Sequence, residues 1–201
     1  MKILSMFRAS ARELKSPLCL SVTGLLIAMY VILNMFVRIE PFEGVKITFN
    51  YLPLSVIGML YGPVVSTVAA VACDIIAPLF EGRALSYWLI PSRMAEGFIY
   101  GFFLYNIKIE KNKVFLAVSS FKIIAARVLA MALCYQIYNT NVLFYIYGMS
   151  EDTFNAYFLA RLIKNLIQFP MDIILMFMLL PAINIAYRKA LQGFGEERRN
   201  L

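Results

Sequence analysis

Along most of this chain the apolar positions do not recur every third or fourth residue, as they would on a helix with one wet face; they run on. From Pro17 to Val37 there is no charged residue at all. A helical run of about 20 apolar residues crosses the ~30 Å hydrocarbon core of a bilayer, so this segment predicts a first membrane span. It is too long for a signal-peptide core and has no small-x-small cleavage site, so the span is expected to be retained. A second run, Phe49 to Leu60, ends at Tyr61-Gly62-Pro63, where glycine can close one helix and proline can open the next. The third span extends from Val64 to about Phe80, carries Asp74 and is expected to stop at Pro78. A fourth runs from about Arg93 to Asn106, a fifth from Val114 to Tyr138 and a sixth from about Tyr157 to Tyr187. Arg38–Lys46 and Glu81–Ser92 are read as long loops, the second with room for a helical turn. The pattern predicts an all-α integral membrane protein: a basic N-terminus (1–16), one six-transmembrane-helix bundle (17–187) and a C-terminal tail (188–201).

Six spans place both termini on one side, and the cations say which. The N-terminus holds Lys2, Arg8, Arg12 and Lys15; the loop after the fourth span holds Lys108, Lys111 and Lys113; the tail holds Arg188, Lys189, Arg198 and Arg199. On the other side stand only Arg38, Lys46 and Arg83, and the stretch Asn139–Asn155 carries Glu151 and Asp152 with no cation. This asymmetry predicts cytoplasmic termini in a multi-pass protein of the cell membrane.

Composition agrees. The 201 residues are 61% hydrophobic and 15% charged, with mean hydropathy +0.73, which excludes disorder. The net charge of +7 would suit nucleic acid, but the cations sit at the ends of apolar runs, so topology accounts for them and no nucleic-acid partner is expected. Cys19, Cys73 and Cys134 are far apart and histidine is absent, which supports neither a disulfide framework nor a zinc site. Without histidine the usual general base is missing too. There is no P-loop, so any ATP must be used by another chain.

Charged and amide side chains inside spans are costly, and each is a candidate for function. On the sixth span Arg161, Asn165, Gln168 and Asp172 recur at spacings of 4, 3 and 4 and share one face, with Lys164 beside them. On the fourth, Arg93, Glu96 and Tyr100 form a second stripe beside Gly97 and Gly101. Tyr135, Tyr138, Asn139 and Asn141 reach the same outer side, and Tyr87 and Trp88 are expected above them. Together these groups suit a small-molecule pocket: arginine forks and amides orient a polar ligand while aromatic faces stack on a flat ring. An aromatic belt with snorkelling cations is the structural alternative for the outermost members. Arg127 and Asp172, both mid-span, are expected to neutralise one another, and Asp74 to pair with Arg83 or Arg93. Ser21, Gly24 and Ala28 put small side chains on one face of the first span, where either another membrane protein or a neighbouring helix of the same bundle can approach.

The chain resembles the substrate-binding S components of energy-coupling factor (ECF) vitamin transporters, most closely the folate type. The resemblance rests on Ile47-Thr-Phe-Asn-Tyr-Leu-Pro53, Gly58-Met-Leu-Tyr-Gly-Pro-Val-Val65, Asp74, Gly97-Phe-Ile-Tyr-Gly-Phe-Phe-Leu-Tyr105 and Ala160-Arg-Leu-Ile-Lys-Asn-Leu-Ile167 with Pro170. It implies a subunit that captures a vitamin at the outer face and works with a transmembrane coupling subunit and two cytoplasmic ABC ATPases, which use the ATP. It adds Asn50 to the substrate-binding candidates, and implies docking of the coupling subunit on Ser21, Gly24 and Ala28 and closure of the two long loops over ligand. Glu81–Arg93 departs from the Pro/Gly/aromatic-rich segment of the folate type. A flat pterin with an anionic tail suits aromatic faces with Arg83, Arg93 and Arg161, and so would another flat or anionic vitamin. The competing readings are a membrane-embedded enzyme acting on a lipid or prenyl substrate and a structural subunit with no ligand.

Overall fold

The computed structural model describes residues 2–42, 45–107, 113–148 and 150–197. Its elements are α1 (Lys2–Glu13), α2 (Pro17–Phe36), β1 (Arg38–Phe42), β2 (Val45–Thr48), α3 (Tyr51–Phe80), α4 (Ile90–Leu104), α5 (Lys113–Leu129), a π-helical stretch (Ala130–Tyr138), α6 (Asn139–Tyr147) and α7 (Glu151–Glu197). Among the described residues four helical segments are long and apolar enough to cross a membrane: Pro17–Phe36, Tyr51–Phe80, Val118–Ile146 and Thr153–Gln192. The chain is a helical membrane protein.

Helix α3 is broken where the sequence predicts a hairpin. Gly62 takes φ 83° and ψ −171°, a left-handed backbone that glycine adopts without a Cβ penalty, and Pro63 opens the second arm. The new helix start leaves orphan N–H groups. Ser10 of α1 meets them: its hydroxyl accepts from the N–H of Val64 (3.0 Å) and Val65 (3.3 Å) and donates to the Tyr61 carbonyl (2.6 Å). The N-terminal segment, expected to be a basic terminus, is thus a docked helix that caps a break 51 to 55 residues away. The same end of the bundle receives Asn184 of α7, which donates to the Ile107 carbonyl at 3.1 Å, and Tyr187, edge-on to Tyr61.

The second arm of α3 lies against α4 at backbone distance. A Cβ at Gly97 would fall 2.5 Å from the Ser66 carbonyl oxygen, and one at Gly101 2.6 Å from the Pro63 nitrogen. Ser66 uses this closeness to donate to the Gly97 carbonyl at 2.7 Å. We expect Gly101→Ala to destabilise the protein by roughly 1–3 kcal/mol, as overpacking does. Gly24→Ala, whose Cβ would meet nothing within 4 Å, should show no loss. Thermal melts in one detergent compare the two.

Several expected boundaries move. The loop Arg38–Lys46 forms most of an antiparallel hairpin with Arg38 opposite Thr48 and Ile39 opposite Ile47, so the fold is not purely α. Pro78 does not stop α3, because a proline in the last turn lacks only a donor and the helix runs on to Phe80. The fourth helix starts three residues before Arg93, at Ile90, with Pro91 in its first turn after a 3-10 turn at Tyr87–Leu89. The fifth span does not end at Tyr138: α6 continues to Tyr147 and closes on Gly148 at φ 56°. Asn141 bonds back within the helix, donating to the Ile137 carbonyl at 2.7 Å, while the buried Asn139 Oδ1 accepts nothing among the described residues. Helix α7 overruns the expected sixth span at both ends and takes in Arg188 and Lys189 of the expected tail. Lys108, Lys111, Arg198 and Arg199 lie outside the described residues.

Candidate functional site

The α4 stripe points inward and is almost wholly spent on itself. Arg93 donates to Asp74 Oδ1 (3.2 Å), Glu96 Oε2 (2.8 Å) and the Tyr135 hydroxyl (3.0 Å), and that hydroxyl donates to Glu96 Oε1 (2.7 Å). Glu96 is 1% exposed. A carboxylate so deep needs a cation and donors, and here it has both. Asp74 pairs with Arg93, while Arg83 pairs with Glu81 instead.

One layer on, Arg127 and Asp172 form the expected buried pair, with Nε to Oδ2 at 3.0 Å. The guanidinium also donates to the Tyr100 hydroxyl (2.6 Å) and lies 3.9 Å over the Tyr51 ring. Gln168, one turn before Asp172, donates to Asp172 Oδ1 (3.3 Å) and to the Thr48 carbonyl of β2 (3.2 Å), tying the hairpin to α7. Its Oε1 is buried and accepts nothing among the described residues. Asn165 donates to Gln136 Oε1 at 3.0 Å, and Gln136 to the Phe158 carbonyl at 3.1 Å.

Between these layers lies a closed cleft of only about 10 Å³, room for no more than a water molecule, lined by Thr48, Arg127, Met131, Tyr135, Lys164, Asn165 and Gln168. Residues 127, 131 and 135 are four apart and would each drift by about 40° around a straight α-helix. The π winding, with more residues per turn, keeps Met131 and Tyr135 beside Arg127. Lys164 brings a cation that forms no ion pair among the described residues. The cavity therefore offers positive charge, an aromatic face and one free amide acceptor.

Of the residues expected to form a pocket, the structure brings Tyr135, Asn165 and Gln168 to the cavity. Glu96, Arg93 and Tyr100 stand behind it as support; Tyr100 is fully buried with its hydroxyl on Arg127. Arg161 lies a turn beyond Asn165, 4.7 Å over the Tyr157 ring and 3.4 Å from Thr140 Oγ1. Asn50 is buried in a polar knot, accepting from Thr48 Oγ1 (3.0 Å) and donating to the Tyr30 hydroxyl (3.1 Å). Tyr87 and Trp88 are 70% and 69% exposed and are not among the lining residues, and the Trp88 carbonyl accepts from the Tyr138 hydroxyl at 3.0 Å. Arg83 is likewise drawn aside by Glu81. Thr48 and Met131 were missed. Thr48 is placed by strand pairing and Met131 by π winding, and neither leaves a helical spacing in the sequence. On α2, Ser21, Gly24 and Ala28 are exposed, so the reading that they pack helices within this chain is set aside.

A sequence profile of the family described as "ECF-type riboflavin transporter, S component" matches residues 15–185. The chain belongs to this family. The curated folate transporter FolT of Clostridium novyi (strain NT) is 25% identical over 153 residues, covering 76% of this chain and 81% of that protein. A crystal structure of FolT bound with folic acid superposes with a TM-score of 0.69 at 27% identity, covering 81% of this chain and 92% of that one. These relatives are transporter components and not enzymes, so the enzyme reading falls.

Proposed function

We propose that this S component captures folate, or a closely related vitamin, at the outer face of a prokaryotic cell membrane. It passes the vitamin on in a complex with a transmembrane coupling subunit and two cytoplasmic ATPases that supply the energy. Both termini are cytoplasmic, and the six spans are α2, the two arms of α3, α4, the continuous α5–α6 rod and α7. The observation that carries this reading is the lining of that cleft, which joins unpaired Lys164, the Asp172-paired Arg127 and the free Gln168 Oε1, and which must widen to admit a vitamin. A pterin ring edge carries N–H groups that such an oxygen accepts, and an anionic tail suits the cations. The similarity to folate proteins supports this vitamin over riboflavin, which the family description names.

Ligand enters when the hairpin lifts away from α7, breaking the Gln168–Thr48 bond, and is enclosed when it returns. Arg161 stands at the outer entrance, and Asn50 holds the hairpin base. Arg83, Tyr87 and Trp88 belong to the second gate, which reaches the ligand only if that segment moves. Leaving that amide oxygen without a partner costs about 1–3 kcal/mol, which a donor on a bound ligand would recover.

Purified protein should bind folate stoichiometrically without ATP, read by calorimetry. Gln168→Leu should weaken binding at least about tenfold, the worth of one good buried hydrogen bond to a ligand. Absence of binding or thermal shift across a vitamin panel that includes riboflavin would overturn the proposal.

A further inference from the structure

Helix α1 has two faces of opposite chemistry. Phe7, Ser10 and Leu14, at spacings of 3 and 4, turn to the bundle: Phe7 stacks on Phe98 at 5.9 Å, Ser10 caps the α3 break, and Leu14 packs on the core. The outer face carries Leu4, Arg8 and Arg12, all exposed, and the exposed Lys15 follows in the turn after the helix. Its one acid, Glu13, is half-buried and off this stripe, and neither arginine forms an ion pair among the described residues.

Three residues join α1 to the span that opens at Pro17, so the helix is held at the membrane boundary. Phe7 fixes its depth. It stacks on Phe98, which itself stacks on Phe102 one turn nearer the end of α4, so the inner face of α1 lies at the level of the last turns of a span. Leu4, 62% exposed, is therefore placed to meet acyl chains, and the arginines one and two turns later to meet headgroups. A guanidinium pair one turn apart can clasp a phosphate between two forks.

We propose that the outer face of α1 binds an anionic phospholipid, with its phosphate between Arg8 and Arg12 and its acyl chain along Leu4. The charge complementarity favours a lipid over a protein: the stripe is cationic, and the exposed large apolar residues of α1, Ile3 and Leu4, lie together at its start, too little for the desolvated centre of a protein interface. This inference needs only a membrane-embedded chain and is independent of the vitamin.

The full chain in detergent is titrated with phosphatidylglycerol or with phosphatidylcholine, and retained lipid is counted by native mass spectrometry. The unmutated protein should retain phosphatidylglycerol preferentially. The double variant Arg8→Gln/Arg12→Gln should lower that retention about 30-fold, the loss expected for two cations at an anionic surface, and leave phosphatidylcholine unchanged. Equal retention of the two lipids by the unmutated chain, or an unchanged preference in the variant, overturns the proposal. So does displacement of the lipid by inorganic phosphate, which would mark a site for a free anion. If the variant fails to fold, a salt titration of the unmutated protein decides, because a phosphate contact must weaken with ionic strength. Folate binding measured on the same samples separates the readings: a chain that prefers phosphatidylglycerol but binds no vitamin sinks only the proposed function.

Discussion

Replacing Asp172 by leucine should destabilise the bundle by about 3–5 kcal/mol, the cost of leaving one member of a buried ion pair without the other. Arg127 is 2% exposed, and after the change its remaining partners are the Tyr100 hydroxyl and the faces of two tyrosine rings. None of these carries the negative charge that offsets removing a guanidinium from water. The deeper test is the double variant Arg127→Met/Asp172→Leu. Two apolar side chains of similar volume need no neutralisation, so stability should return most of the way to that of the parent protein. Unfolding free energies in mixed micelles measure all three proteins. A double variant as unstable as the single would show that the arginine supports the cavity by packing and not by charge. Folate affinity gives a second readout. Arg127 lines the cavity, so a stable double variant that binds poorly assigns its guanidinium to the ligand.

That pair also shows how far the sequence could be read. Two opposite charges mid-span in an apolar chain must meet, whatever the topology, because each alone is prohibitive. The same argument found the inward stripe of α7, and the Gly62-Pro63 break was visible because only glycine tolerates the required backbone. What stayed hidden was decided by long-range contact. Ser10 reads as one more polar residue in a basic tail until the α3 break supplies the N–H groups it caps. Asn139-Thr-Asn141 reads as a loop because asparagine favours turns, yet Thr140 and Asn141 bond back to carbonyls of their own helix and it continues. Tyr87 and Trp88 have the right chemistry for a flat ligand, but a loop of mixed polarity has no period that says which way its rings face. The cavity itself depends on π winding, and nothing in a four-residue spacing distinguishes that from an ordinary turn.

Gly24→Trp should abolish assembly with the coupling subunit while leaving folate affinity within about twofold, because a side chain of 150–250 Å² would stand where close helix approach is needed. The basis is local. A Cβ at Gly24 meets nothing within 4 Å, and Ser21 and Ala28 extend the same exposed strip three residues before and four after. Leu20 and Leu25 flank it at 56% and 72% exposure, leaving a shallow groove between bulky neighbours. The opposite side of α2 holds Tyr30 and Asn34, which reach the hairpin base through Asn50. Gly24 lies more than one turn from those contacts, so a tryptophan there has no route to the cavity except through bending the whole helix. Co-purification of the tagged variant with its transporter partners, beside calorimetry of the isolated subunit, reads the two effects separately. A complex that survives the substitution moves the docking surface elsewhere on the bundle. A loss of folate binding would mean that α2 transmits strain to the hairpin, and the face that docks would then also govern the gate.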